Sequence, residues 1–195
     1  QAGAIPPLLE GHDLLGQAHT GSGKTAAFAL PILQKLRLNK QVEALILAPT
    51  RELAKQISQE FERFGKSNQI KTAIVVGGES SLRQIELINR GTPIVVATPG
   101  RMLDLLQSGR LKRFAPQTVV LDEADEMLDM GFIDDIKSIL GMLPEDRQTI
   151  MFSATVPGPI ARLAQEIMNE PVSVRLGQDH QEKGPDIEQR LYIVK

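Results

Sequence analysis

Ala18-His19-Thr20-Gly21-Ser22-Gly23-Lys24-Thr25 decides how this chain is read. A short apolar run ends just before it, and the helix-forming Ala26-Ala27-Phe28-Ala29-Leu30 follows. A loop between a strand and a helix is the setting of a phosphate cradle. Gly21 and Gly23 let backbone N–H groups turn inward where a side chain would block a phosphate. The helix N-terminus adds a partial positive charge. Lys24 is placed to reach β- and γ-phosphates, and the Thr25 hydroxyl to ligate Mg²⁺. Ala18 stands where the general pattern has its first glycine. The plainer alternative is a glycine-rich turn before a helix.

Outward from the loop, short β-branched runs alternate with longer amphipathic stretches. Strands are predicted at 13–17, 43–48, 72–76, 94–98, 117–122, 148–152 and 172–176. Helices are predicted at 3–10, 24–37, 51–65, 80–89, 100–107, 123–128, 132–142 and 157–168. Leu53, Ile57, Phe61 and Phe64 form one stripe on the third helix. Strands apolar on both faces, such as residues 44–48 and 94–97, belong in a parallel sheet covered by helices on each side. The expected fold is α/β, a three-layer domain with a mostly parallel central sheet. Asp122 and Glu123 close the buried run Thr118-Val119-Val120-Leu121. In an open α/β sheet, ligands bind at the carboxyl ends of the strands. Asp122 is placed to hold Mg²⁺ through water, and Glu123 to orient and deprotonate an attacking water. An isolated Asp-Glu at a strand end also reads as a helix N-cap. Paired with a phosphate loop, it points to nucleoside triphosphate hydrolysis.

Composition bounds the rest. The chain has 195 residues, 42% of them apolar, and no cysteine. Disulfides and thiolate metal sites are therefore excluded, and a reducing, cytoplasmic setting is expected. No run approaches the ~18 apolar residues of a membrane helix. Residues 1–121 hold 15 Lys/Arg against 9 Asp/Glu, a net +6, whereas residues 122–195 hold 7 against 15, a net −8. Such asymmetry marks either a polyanion-facing surface or ordinary solvated faces. Local motifs have to decide between them.

Six motifs in order do so: residues 18–25; Pro49-Thr50-Arg51-Glu52-Leu53; Gly77-Gly78; Thr98-Pro99-Gly100-Arg101; Asp122-Glu123-Ala124-Asp125; and Ser153-Ala154-Thr155. Any one is weak, but six at this spacing are specific. The chain resembles the first RecA-like domain of DEAD-box ATP-dependent RNA helicases over nearly its whole length. That resemblance implies a P-loop NTPase of the RecA-like class. It implies that Gln1 reads the adenine edge and that residues 18–25 (Ala18, His19, Thr20, Gly21, Ser22, Gly23, Lys24 and Thr25) hold the nucleotide phosphates. It further implies Mg²⁺ at Thr25 and Asp122, and catalysis by Glu123 with Lys24 and Asp122. RNA backbone contacts fall at Pro49, Thr50, Arg51, Gly78, Thr98 and Arg101, consistent with backbone N–H groups and arginines facing phosphates. Asp125, Ser153 and Thr155 would couple nucleotide state to RNA grip. His19 replaces the family's more frequent glutamine and reads as a surface loop residue.

Bland readings stay open for several of these residues. Thr50 could serve only as an N-cap, Gly77-Gly78 only as a turn, Arg101 only as a surface charge, and Ser153 and Thr155 only as helix caps. The domain is expected to span 1–176. Residues 177–188 read as a linker and 191–194 as the first strand of an absent second RecA-like domain. With no methionine at Gln1, the chain is expected to be a piece of a longer protein. Alone, a monomer without that second domain, it is expected to bind ATP weakly and hydrolyse it poorly. Unwinding of short duplexes, an ATP-dependent RNA clamp and, less favoured by the Asp-Glu-Ala-Asp lettering, a DNA translocase remain the functional alternatives.

Overall fold

The apolar runs are buried on both faces in the computed structural model, which describes residues 1–175 apart from Thr20, Ser22 and Leu38. Among the described residues they form a seven-stranded sheet: β1 (Leu14–Gln17), β2 (Ala44–Leu47), β3 (Thr72–Val75), β4 (Ile94–Ala97), β5 (Thr118–Leu121), β6 (Gln148–Ser153) and β7 (Val172–Arg175). The spatial order is β3-β4-β2-β5-β6-β1-β7, and every adjacent pair is parallel. The sheet is thus wholly rather than mostly parallel. Parallel neighbours need crossovers, and helices provide them. These are α1 (Ile5–Glu10), α2 (Lys24–Lys35), α3 (Arg51–Phe64), α4 (Ser81–Asn89), α5 (Pro99–Gln107), α6 (Ala124–Asp129), α7 (Ile133–Gly141) and α8 (Gly158–Ile167). A short 3₁₀ turn, Lys66–Asn68, was not expected. The predicted linker and trailing strand, at 177–195, lie outside the described residues.

Side-chain alternation sorts the strands onto two cores. Leu45, Leu47, Val95, Ala97, Val119 and Leu121 face α4 to α8. Ala44, Ile46, Ile94, Val96, Val120 and Phe152 face α1 to α3. The α3 stripe is realised at Ile57 and Phe61, which are buried with Ala54 and Ser58. Leu53 and Phe64 sit at its half-buried margin. No described helix is long and apolar enough to cross a membrane.

The second core is anchored by three rings. Phe28 stands 6.0 Å from Phe61 and 5.8 Å from Phe152, centroid to centroid. Phe152 also covers Gly16 across the β1–β6 register, so a Cβ on Gly16 would overlap its ring. Gly16→Ala is expected to lower stability by about 2 kcal/mol through overpacking. The loss should shrink in a Phe152→Leu background, where the ring is gone. Urea unfolding of the two singles and the double checks this, and additive losses would refute the contact.

Candidate functional site

β1 is followed directly by Ala18, buried, whose N–H donates to the Ser153 carbonyl at 3.0 Å. The chain then loops past exposed His19 and Gly21 into α2. Gly23 is the helix N-cap and takes a left-handed φ of 81°. A side chain there would collide with Gln1, whose Nε2 lies 3.4 Å from the Gly23 carbonyl as its hydrogen-bond donor. The predicted adenine reader therefore does rest on the phosphate loop. Thr25 follows in the first helical turn, half-buried. Thr20 and Ser22 lie outside the described residues.

Lys24, on α2, reaches across to the end of β5. Its Nζ is 3.2 Å from Glu123 Oε1 and 3.5 Å from Asp122 Oδ1. Nearly a hundred residues apart in sequence, the three meet because β1 and β5 both flank β6. Asp122 is 1% exposed and Lys24 6%. Asp122 Oδ1 has no hydrogen-bond partner in the described structure, so its contact with Lys24 is an ion pair at a longer separation. Burial, with Glu123 adding to it and Lys24 opposing, pushes the Asp122 carboxyl up from 3.8 to about 6. The Asp122 N–H donates to the Leu47 carbonyl of β2 at 3.0 Å. Glu123 occupies the N-cap of α6 in a left-handed conformation, φ 56°, with no side-chain cap bond. Capping alone does not account for it. Such a conformation costs a non-glycine residue on the order of 1–2 kcal/mol.

This donor set suits a hydrated divalent cation. An orphaned buried carboxylate oxygen faces the phosphate loop, with the Thr25 hydroxyl on the adjoining helical turn. Among the described residues no cluster of three or more His, Cys, Asp or Glu could cage a metal unaided. Mg²⁺ is typically held by one or two carboxylates, waters and substrate phosphates, which matches so sparse a set.

Beside Glu123, Asp125 joins α6 to the end of β6. The Thr155 N–H and hydroxyl donate to its Oδ2 at 2.9 and 3.0 Å, and the Asp125 N–H donates to Ser153 Oγ at 3.1 Å. Burial works to raise the Asp125 carboxyl, but the Thr155 N–H and the Ser153 and Thr155 hydroxyls outweigh it, leaving the group below its usual value. Pro157 is the α8 N-cap and no side chain caps that helix, so Ser153 and Thr155 serve the Asp125 contact instead.

A groove of about 560 Å³ lies at the carboxyl ends of β2, β3 and β4. Pro49, Thr50, Arg51, Thr98 and Arg101 all line it, together with Gly77. Gly78 sits beside them: its φ of 79° suits glycine, and a Cβ there would meet Arg51 Nη1 at 2.5 Å. Thr50 does cap α3, accepting from the Leu53 N–H at 3.2 Å. Arg101 is not the surface charge of the bland reading. Its side chain is 18% exposed, and Nη1 donates to the Glu79 carbonyl at 3.2 Å. Three separate motifs thus converge on one surface.

The family model described as DEAD/DEAH box helicase matches residues 1–163. The chain belongs to this family. It is 49% identical over 194 residues to the DEAD-box ATP-dependent RNA helicase RhpA of Helicobacter pylori, covering all of this chain and 39% of RhpA. It is 50% identical over 177 residues to CshA of Streptococcus pneumoniae, also a DEAD-box ATP-dependent RNA helicase, covering 90% of this chain and 34% of CshA. The solved structure of a DEAD box protein from Methanococcus jannaschii superposes with a TM-score of 0.84 at 40% identity, covering 89% of this chain and 48% of that one. The chain therefore spans about two fifths, or less, of the length of these curated relatives.

DEAD-box motifs located the cationic side of the groove but not its apolar wall. Met130, half-exposed, and Phe132 flank Gly131 between α6 and α7 and face the arginines across the groove. A larger concavity, about 660 Å³, opens at the amino-terminal edge of the sheet around Asp13 and Lys35. It lies away from all six DEAD-box motifs.

Proposed function

We propose that this chain is the nucleotide-binding, RNA-contacting half of an ATP-dependent RNA helicase, a cytoplasmic, monomeric enzyme that hydrolyses ATP and remodels short RNA duplexes. The observation that carries this reading is the meeting of Lys24 with Asp122 and Glu123 at the carboxyl edge of the sheet. Gln1 reads the adenine. Backbone amides of residues 18–25 hold the phosphates, and Lys24 leaves its carboxylate partners for the β- and γ-phosphates. Thr25 and, through water, Asp122 would hold Mg²⁺, which would neutralise phosphate charge. Glu123, released from Lys24, aligns the attacking water and takes its proton.

Pro49, Thr50, Arg51, Gly78, Thr98 and Arg101 grip RNA through sugar and phosphate, so little sequence preference is expected. The Asp125–Ser153–Thr155 cluster joins the two half-sites. A second RecA-like domain supplies the remaining catalytic charge, worth ~10³–10⁵ in related phosphoryl transfers. Identity near 50% to RNA helicases supports RNA over DNA as the polymer.

ATP turnover by the full-length protein, with and without single-stranded RNA, tests the proposal. RNA is expected to stimulate turnover. Arg51→Ala should raise the RNA concentration for half-stimulation about tenfold, the worth of one charge-assisted contact. Turnover indifferent to RNA, or stimulated equally by DNA, would sink the RNA assignment.

A further inference from the structure

The amino-terminal edge of the sheet carries a second cleft, of about 400 Å³, where the chain enters β2, β4 and β5. Val42 and Ile88 line it from the core side. Lys40, Lys112 and Arg113 are the charged groups of its wall, and no carboxylate lines it. All three are exposed, and no ion pair among the described residues engages them. Glu86, on nearby α4, is already held by Arg90.

The cleft is built rather than incidental. Lys40 and Arg113 both take left-handed backbone conformations, φ 60° and 52°. The Lys112 N–H donates to Asn89 Oδ1 at 2.8 Å, and Asn89 Nδ2 donates to the Arg110 carbonyl at 3.0 Å. A Cβ on Gly91 would overlap the Lys40 carbonyl, so the 39–41 and 88–91 segments are pressed together. Three like charges are thereby gathered, two of them at strained positions, with no carboxylate in the cleft wall. That arrangement raises the energy of the free fold, and a polyanion reverses the sign of the effect.

We infer that this cleft is an auxiliary contact for the phosphodiester backbone of RNA that extends beyond the groove. The inference rests on the RNA reading above. Helix α5 gives the path. It starts at the groove beside Arg101, and its end leads into Arg110, Lys112 and Arg113. Nine residues of helix cover about 14 Å. Exposed Arg83 on α4 adds charge to the same layer. A strand leaving the groove along this layer arrives at the three cations, whereas a strand confined to the groove does not.

The test uses this chain and a triple variant, Lys40→Asn, Lys112→Gln and Arg113→Asn, since asparagine tolerates the two left-handed positions. Fluorescence anisotropy at low salt would compare single-stranded RNAs of about 7 and about 25 nucleotides, one near a single binding site and one well beyond it. The triple variant is expected to bind the long strand at least tenfold more weakly and the short strand as wild type does. Its slope of log K against log salt should flatten by about 2, three phosphates at roughly 0.7 each. Lys112→Gln alone, at an ordinary backbone position, should flatten it by about 0.7 and guards against misfolding of the triple variant.

Equal long-strand affinity in wild type and variant overturns the cleft contact and leaves the RNA reading intact. Equal losses for both lengths also overturn it, because the groove itself would then be disturbed. Wild-type chain that binds neither strand overturns both readings. Polyglutamate bound through the three cations, with long-strand affinity unchanged, overturns it in favour of an acidic protein partner.

Discussion

Glu123→Gln is expected to reduce RNA-stimulated ATP turnover by about 10²–10⁴-fold, the usual worth of a positioned general base. The substitution keeps the shape of the side chain and removes its basicity. It also breaks the 3.2 Å pair with Lys24, but Asp122 remains beside the ammonium, so the lysine stays placed for phosphate. Nucleotide affinity should accordingly be retained while kcat collapses. Glu123→Ala should fall equally far, because the proton acceptor, and not packing, is what both changes remove. Turnover of Glu123→Gln within threefold of wild type would end the assignment.

Asp122→Asn should act in the opposite direction on the fold. The folded carboxyl lies near 6 and its ordinary value is 3.8. The folded state therefore holds the proton more tightly than the unfolded chain does. As pH rises from 3.8 through 6, stability contributed by this group is lost, and above 6 the full penalty of a buried carboxylate is present. A shift of that size corresponds to about 3 kcal/mol. Asparagine removes the charge and keeps the shape. The ligand-free variant should be more stable than wild type by about 2 kcal/mol at pH 7.5, with the difference vanishing towards pH 4. Mg²⁺-dependent turnover should be lost in the same protein. Urea titrations at the two pH values decide it; a variant less stable at pH 7.5 refutes the burial argument. Function and stability conflict at this residue, as is common where a site needs a buried charge.

Most of the layer structure was readable because parallel strands buried on both faces leave continuous apolar runs, and all seven runs became strands. Helix existence followed from equally simple periodicity, with ends off by a residue or two. Lys66–Asn68 escaped because three polar residues after a helix carry no pattern. The order of the strands was not readable. Nothing local in Leu14-Leu15-Gly16-Gln17 says that it inserts between β6 and β7, and that placement is what brings Lys24 to Asp122. The motif letters marked candidate residues, but not their state. Arg101 has the letters of a solvated charge, yet its side chain is mostly buried and bonded to the Glu79 carbonyl. Met130 and Phe132 belong to none of the six motifs, so nothing in the letters marks them as groove residues.

One backbone hydrogen bond has a wider consequence. Asp122 N–H donates to Leu47, and two residues after Leu47 the chain reaches Pro49 and Thr50. The carboxylate end and the groove end therefore hang from adjacent strands, about 4.8 Å apart. β2 is fully buried and bonded on both sides, to β4 and β5, so it has no freedom to slide. The gap between the two half-sites is in effect a lattice constant of the sheet. On the proposed reading, this body would register two ligands side by side, a nucleotide and a strand, like marks on a rule. It cannot stretch the interval between them, so any stroke must be delivered against the rule from outside.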